Sequence, residues 1–384
     1  MKLRLKELEK YVPPDVLELM QSLKTQGYAA YLVGGCVRDL ILGLAPSDWD
    51  VATSAQPDAV EALFPQTVAV GKHYGSIGVL GRARNDASRE ETLMGIEKNI
   101  QPVHQVTTFR CDRDYGDHRH PDQVVFASDI SEDLARRDFT INAIAYDPID
   151  KELIDLYQGI EDLKFEKLRT VGSARERFSE DSLRPFRAVR FVAQLGFSLD
   201  AATLSALAEV SRNLPLPSWE RIGAEWQKLI KGKAFLDGLD VLMQSGLWGR
   251  IFETWSGDEA LLWLKANQER LQNLPEAIRL AALLQTRTDA AEILRRLTYS
   301  KRDIAWTLKL IENELDEKKA AMEVQDLKLS AADLIGLGLR GEAIGRMQRS
   351  LLAFVKATPS KNRKSVLMEE AQRILTEGQL SPAV

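Results

Sequence analysis

The chain has 384 residues, 45% hydrophobic and 28% charged, with 51 Lys+Arg against 56 Asp+Glu for a net charge of −5. That length allows two or more domains with a substantial core. The charge balance excludes a strongly basic coat for nonspecific nucleic-acid binding, yet leaves room for local basic clusters on a phosphate backbone.

The N-terminal stretch MKLRLKELEKYVPPDVLELM reads as a charged amphipathic helix, not a signal peptide. No apolar run approaches bilayer-spanning length, so no membrane association is expected. Cys36 and Cys111 fall in neither a Cys-x-x-Cys nor a zinc spacing, which fits a reducing cytoplasm and does not fit a zinc site.

Up to about residue 150 strand and helix signals mix. YAAYLVGG reads as a buried strand, VRDLILG as a helix closed by Gly43, and DWDVAT as a second strand. PDAVEALF follows as a helix with Pro57 at its start, and SIGVLG, HQVTTFR and TINAIAYD read as further strands. The polar stretch 81–102 between two strands is long for a compact domain and suggests an insertion with its own helix or a mobile loop. A second loop, CDRDYGDHRHPD (111–122), is dense in charge. From about 160 onward helix-period segments follow one another, including LSALAEVSRNL, WERIGAEWQKLIKG and KSVLMEEAQRILTEG. The expected architecture is an α+β head with a mixed sheet and helices (1–150), a helical neck (151–235), and an all-α body and tail (236–384).

Three clusters carry chemistry. The strand running into Gly34-Gly35 and then a helix offers backbone N–H groups to an anion, and Arg38 on the first turn can point to the same place. In SDWDV, Asp48 and Asp50 stand on one face of a strand start, where like charges repel unless a cation lies between them. Alone, the first cluster is often a tight turn and the second a solvated one. Together they form a layout for a nucleoside triphosphate and Mg²⁺, which takes few protein carboxylates and fills its shell with phosphate oxygens and water. The third cluster is the helical EDSLRPFRAVR, with Asp181, Arg184, Arg187 and Arg190 spaced i, i+3, i+6 and i+9. An Asp–Arg pair can read a base edge without a template, and Pro185 suggests a bend that aims the pair.

The run LVGGCVRDLILGLAPSDWDVATSAQP resembles the signature of the class II tRNA nucleotidyltransferases of the polymerase β superfamily, the CCA-adding enzymes and bacterial poly(A) polymerases. GKHYGSIGV, VTTFR, DLARRDFTINAIAYD, LIDLYQGIEDL, the 170–197 stretch and ERIGAEWQKLI resemble the family's successive motifs in order, from about residue 28 to 230. The resemblance implies a polymerase β-like head, and Asp48 and Asp50 as catalytic ligands of two Mg²⁺ ions. It implies that Gly35 and Arg38, with Gly34 in support, hold the nucleotide phosphates, and that Arg137 meets the nucleotide with Asn142 in support. Asp181 and Arg184, with Glu180 in support, would pair with CTP or ATP, and Arg187 and Arg190 would assist or meet phosphate.

Two departures stand out. A family Glu before VTTF, serving as a third acid, is replaced by Gln105, and the 81–102 insertion, with Glu90, Glu91 and Glu97, has no functional account. The loop at 111–122 resembles the flexible loop of enzymes that add the terminal A. The implied activity is therefore template-independent CCA addition to the tRNA 3′ end from CTP and ATP, in the cytoplasm, with the helical body gripping the acceptor arm. Poly(A) addition, A-only or CC-only addition, and a catalytically dead RNA-binding homologue are the alternatives. Lys228, Lys231, Lys233, Lys361, Arg363 and Lys364 are candidates for the tRNA grip.

Overall fold

The computed structural model describes residues 3–81, 103–113 and 123–376. Nearly all of the 81–102 insertion, including Glu90, Glu91 and Glu97, and residues 114–122 of the charged loop lie outside the described residues. The chain divides into two compact units, residues 1–268 and 269–384.

Nine of the eleven strands among the described residues of the first unit lie in its head, the other two being the short parallel pair Lys167–Leu168 and Ser198–Leu199. The nine are β1 (Ala30–Val33), β2 (Asp50–Thr53), β3 (Thr67–Gly71), β4 (Ser76–Leu80), β5 (Val103–Thr108), β6 (Arg110–Arg113), β7 (Gln123–Phe126), β8 (Ile144–Asp147) and β9 (Glu152–Asp155). Seven of them form one sheet in the order β3-β4-β5-β2-β1-β8-β9, and β6 pairs with β7 as a separate hairpin. The sheet is mixed: β2 and β5 run parallel, and the other neighbours are antiparallel. Short strands of β-branched and aromatic residues suit such a sheet. One cluster of Val33, Ala52, Phe109 and Ala145 is closed by Ile130 and Leu134 from helix Ile130–Ala135. Each fully buried Val, Leu, Ile or Phe side chain contributes about 1.5–3 kcal/mol.

The head helices are α1 (Pro14–Thr25), α2 (Gly35–Leu42), α3 (Pro57–Leu63) and α4 (Ile130–Ala135). Gly43 caps α2 in the left-handed region (φ 75°), as its position after VRDLIL suggested. The N-terminal helix is shorter than expected. Residues 8–11 make a 3₁₀ turn, and α1 begins only at Pro14. Pro lacks the N–H that a helix interior needs but fits the first position, so Pro13-Pro14 start a helix instead of continuing one.

Beyond the sheet come α5 (Gly159–Lys164), α6 (Ala174–Glu180), α7 (Arg184–Leu195), α8 (Ala201–Val210), α9 (Trp219–Ile230) and α10 (Phe235–Gln244). The 174–195 stretch is two helices, which corrects the single helix expected from its spacing. Asp181 is extended (φ −133°, ψ 113°), and Pro185 falls in the first turn of α7. The break precedes the proline because that ring is tolerated at a helix start and not inside one. Helix α7 packs against α9 and α10. Gly238 on α10 permits a close approach, since a Cβ there would come within 2.7 Å of the Ala193 Cβ.

The second unit is helical, with Glu276–Leu284, Lys301–Glu312, Glu342–Ala357 and Lys364–Thr376 among its longer elements. Leu334, Met347, Leu351, Val355, Leu367 and Ala371 form its buried cluster. Among the described residues no helix is long and apolar enough to cross a membrane.

Candidate active site

The turn from β1 into α2 sets the first part of the site. Gly34 has φ +75°, and a Cβ there would lie 3.0 Å from an Nη of Arg137 and 4.0 Å from Asp50 Oδ2. Glycine is thus required both by the backbone and by the side chains that crowd it. Gly35 opens α2, and Arg38 reaches out from its first turn. The Arg38 Nη1–H donates to Asn142 Oδ1 at 2.8 Å and its Nε–H to Asp39 Oδ1 at 2.8 Å.

Asp48 lies in the bend before β2 and is exposed. Trp49 turns into the core, and Asp50 opens the strand half-buried. Burial, and then the Asp48 charge, push the Asp50 carboxyl up to about 6, with Arg137 acting in the opposite direction. A carboxylate whose ionisation is opposed by burial and a neighbouring carboxylate is relieved by a bound cation. Gln105 on β5 is the parallel register partner of Asp50 and is exposed, so the two belong to the same face of the sheet. The donor set of two carboxylates with an amide beside them fits Mg²⁺, which needs few protein ligands. Among the described residues no cluster of three His, Cys, Asp or Glu side chains could hold a metal. Next to Gln105, buried His104 contacts Asp15 of α1 through Nε2 at 2.8 Å, tying β5 to that helix.

Arg137 is held from below. Asp133 on α4 is fully buried and receives both Arg136 and Arg137, at 2.6 and 2.8 Å. Burial would raise its carboxyl, but Arg137 and Arg136 outweigh it and keep it below its ordinary range. Asp138 is similar. Burial opposes its charge, while Arg187, Asn142 and Arg184 hold the carboxyl well below the usual carboxylate range. It accepts from Asn142 Nδ2 at 3.1 Å and from Arg187 Nε at 2.7 Å. A continuous chain therefore runs from Arg38 through Asn142 and Asp138 to Arg187. The Phe191 ring of α7 runs parallel to it, with the guanidinium carbons of Arg38, Arg187 and Arg190 at 5.3, 5.6 and 3.7 Å from its centroid.

The segment between α6 and α7 forms the other end. Arg184 is buried, donating to Glu180, to the Arg177 carbonyl at 2.9 Å and to the Arg136 carbonyl at 3.1 Å. Asp181 receives the Leu183 N–H at 3.0 Å and Arg221 of α9. Arg190 is a helix-to-helix tie: it is buried, pairs with buried Glu225 of α9, and donates to Gln194 at 2.5 Å. The structure thus gathers Gly34, Arg137 and Asp50 at one point, with Asp48 and Gln105 flanking, and links Arg38 to α7.

Asp133, Asp138, Phe191, Arg221 and Glu225 had not been singled out. Their partners lie four residues away for Asp133, a spacing visible in DLARR, but 35 to 49 residues away for the other carboxylate–arginine pairs. Of the basic residues suggested for an RNA grip, all six are exposed; Lys364 pairs with Asp333 at 2.7 Å.

Comparison with known proteins gives the relatives of the chain. Residues 30–169 match the poly A polymerase head domain, and residues 196–256 match the probable RNA and SrmB-binding site of polymerase A. A CCA-adding enzyme of Lactococcus lactis is 42% identical over 230 residues, 60% of this chain and 53% of that protein. One of Geobacillus stearothermophilus is 39% identical over 277 residues, 69% of this chain and 64% of that protein. The chain thus spans about half the length of the curated relatives it matches. The crystal structure of the Bacillus stearothermophilus CCA-adding enzyme in complex with CTP superposes with a TM-score of 0.64 at 29% identity, covering 95% of this chain and 83% of that one. The chain therefore carries the poly A polymerase head domain followed in order by the probable RNA-binding site of polymerase A, and is similar in sequence and fold to CCA-adding enzymes.

Proposed function

We propose that this protein is a template-independent tRNA nucleotidyltransferase that adds C, C and A to the tRNA 3′ end from CTP and ATP. The observation that carries the proposal is the polar chain from the glycine turn to α7. It starts at the turn that packs against half-buried Asp50, next to exposed Asp48, and ends on the helix that follows the segment holding Asp181 and Arg184. The tRNA 3′-hydroxyl attacks the α-phosphorus of the bound nucleotide, and pyrophosphate leaves. Asp48 and Asp50 would hold two Mg²⁺ ions, which would supply Lewis-acid charge to the reacting oxygens.

The protein's own residues do the positioning. Gly35 and Arg38 hold the phosphates, with Asn142 fixing the Arg38 fork. Arg137, anchored on Asp133, presents charge next to Asp50. Asp181 accepts from the exocyclic amine of cytosine or adenine, and Arg184 donates to the adjacent ring nitrogen. Uracil and guanine invert both groups, which sets oxygen against carboxylate and donor against donor. Arg187 and Arg190 support the reading segment through Asp138 and Glu225. In this reading residues 1–150 catalyse, 151–235 read the nucleotide, and 236–384 bind RNA, with Lys228, Lys231 and Lys233 of the neck and Lys361, Arg363 and Lys364 of the tail as phosphate contacts. Two free thiols, Cys36 and Cys111, agree with work in the cytoplasm.

The test is incubation of tRNA lacking its 3′ end with labelled CTP or ATP and Mg²⁺. Three residues added in order support the proposal; a long A tail, a partial addition or no product overturns it. Asp48→Ala should abolish the product, and retained addition by that variant would refute the cation assignment.

A further inference from the structure

Phe191 lies in the second half of α7 and is buried, 3% exposed. Phe139, next to the anchor Asp138, meets it edge to face at 5.5 Å with the ring planes 80° apart, which fixes how the ring is turned. Three guanidinium carbons stand over this one ring: Arg190 at 3.7 Å, Arg38 at 5.3 Å and Arg187 at 5.6 Å. A ring face carries negative charge density and attracts a cation within about 6 Å, the more strongly the less water surrounds it.

The three arginines differ in what else holds them. Arg187 pairs with Asp138 and Arg190 with Glu225, each a carboxylate outside α7. Arg38 has its carboxylate in Asp39, the next residue of its own helix, with Nε and Nη2 both 2.8 Å from Oδ1. That pair travels with α2 and cannot fix the guanidinium relative to the rest of the site. Among the described residues, the side chains that tie Arg38 to other parts of the chain are Asn142, through the bond from Nη1 at 2.8 Å, and Phe191. Asn142 is a neutral acceptor and engages one edge of the fork. The Arg38 side chain is 12% exposed, so water screens the pull of the ring very little. The contacts to Asp39 and Asn142 leave part of the donor fork for phosphate oxygens.

From this geometry we infer that Phe191 is a positioning residue for the nucleotide's triphosphate: its ring face holds the Arg38 guanidinium beside the Gly34-Gly35 turn. The inference rests on the proposed reading of Gly35 and Arg38 as the phosphate cradle. Arg38 Nη2 lies 3.6 Å from where a Cβ of Gly35 would stand, so the guanidinium is already at the backbone that opens α2. Without the charge of the ring, Arg38 keeps Asp39 but swings more widely about its side-chain bonds. Ordering it again on binding weakens the ground state and the transition state alike, which raises KM and leaves kcat nearly unchanged. Because the same ring also faces Arg187 and Arg190, the phosphate end of the site is set from α7, the helix that follows the reading segment.

The test replaces Phe191 in the full chain by mono-, di- and trifluorinated phenylalanine. Fluorine withdraws charge from the ring face in steps while changing the ring's size little. On truncated tRNA, KM for CTP and ATP should rise stepwise along the series, by about tenfold in total, with little change in kcat. The ratio of kcat/KM for CTP over UTP should stay as in wild type, and inhibition by inorganic tripolyphosphate, which has no base, should weaken in parallel. A role in packing alone predicts no ordered rise, because fluorinated rings fill the same space and are no less apolar; a flat KM overturns the inference. A fall in the CTP over UTP ratio also overturns it, since the ring would then act on base selection. If the trifluorinated protein does not fold, the first two members of the series decide in the same way. In an Arg38→Ala background the series should leave KM unchanged, and a rise that persists there assigns the effect to Arg187 or Arg190 and overturns the inference. Arg38→Ala alone separates the two claims. If it leaves KM and tripolyphosphate inhibition as in wild type, the reading of Arg38 fails; if it weakens both while the fluorinated series is flat, only the Phe191 inference fails.

Discussion

Replacing Asp50 by Asn is expected to stabilise the cation-free protein while abolishing nucleotide addition. Burial and the Asp48 carboxylate raise the Asp50 carboxyl from 3.8 to about 6, against the pull of Arg137. The folded state therefore binds this proton more tightly than the unfolded chain does. Its favourable contribution is complete below the unfolded value of 3.8 and is lost as pH rises through about 6. At about 1.4 kcal/mol per pH unit, the ionised group costs up to roughly 3 kcal/mol at neutral pH. Asn keeps the shape and carries no charge, so it escapes that cost. Urea unfolding in EDTA at about pH 7.5 should show Asp50→Asn more stable than wild type by up to roughly 3 kcal/mol, with the gap closing near pH 4. Tryptophan fluorescence reports mainly on the first unit, because only Trp306 lies beyond residue 268. Adding Mg²⁺ should then stabilise wild type and leave the variant nearly unmoved, since a ligand stabilises only the state that binds it. Equal or lower stability of Asp50→Asn at neutral pH in EDTA, or a gap that persists near pH 4, would refute the electrostatic reasoning.

Glu225→Ala leaves buried Arg190 without its carboxylate and should cost about 3–5 kcal/mol in urea unfolding, while the double replacement Arg190→Met with Glu225→Leu should regain most of it. Gln105→Glu puts a third carboxylate in register with Asp50 and should lower the Mg²⁺ concentration for half-maximal addition several-fold; an unchanged midpoint would place Gln105 outside the cation's reach. Pro185→Ala should alter stability by no more than about 1 kcal/mol and leave CTP and ATP incorporation unchanged, because Pro185 occupies a first helical turn and bends nothing.

The parts of this molecule that were legible in its sequence are those whose cause is local. The β1 strand, the Gly34-Gly35 turn, α2 and its Gly43 cap follow from period and turn chemistry within a dozen residues. The two misread helices share one physical origin. Apolar periodicity continues through Pro14 and Pro185, but the backbone does not, and in both places the proline begins the helix. The adjacency of Asp50 and Gln105 needed the parallel pairing of β2 with β5, a register that strand patterning does not specify. The long-range pairs Arg187–Asp138, Arg190–Glu225 and Arg221–Asp181 leave no local pattern, because whole elements of the chain lie between the partners.

Those pairs also separate the carboxylates of the head into two kinds. Asp133 and Asp138 are both buried, yet each is held below its ordinary pKa by arginines close at hand. They are satisfied within the protein and act as anchors, for Arg137 on one side and Arg187 on the other. Asp50 is less buried, but its carboxyl is pushed upward, by burial first and then by the neighbouring Asp48 carboxylate, against which Arg137 acts more weakly. Supplying a guanidinium at hydrogen-bonding range would have been no harder there than at Asp133, since Arg137 already lies against the same glycine. Instead Arg137 is bound to Asp133 and acts on Asp50 only through space. An acid left with unrelieved repulsion inside a framework that satisfies its other acids is a group whose partner arrives from outside. On that argument we propose that cation and nucleotide bind at Asp48 and Asp50, with the arginine pairs around them as the scaffold that keeps the point in place.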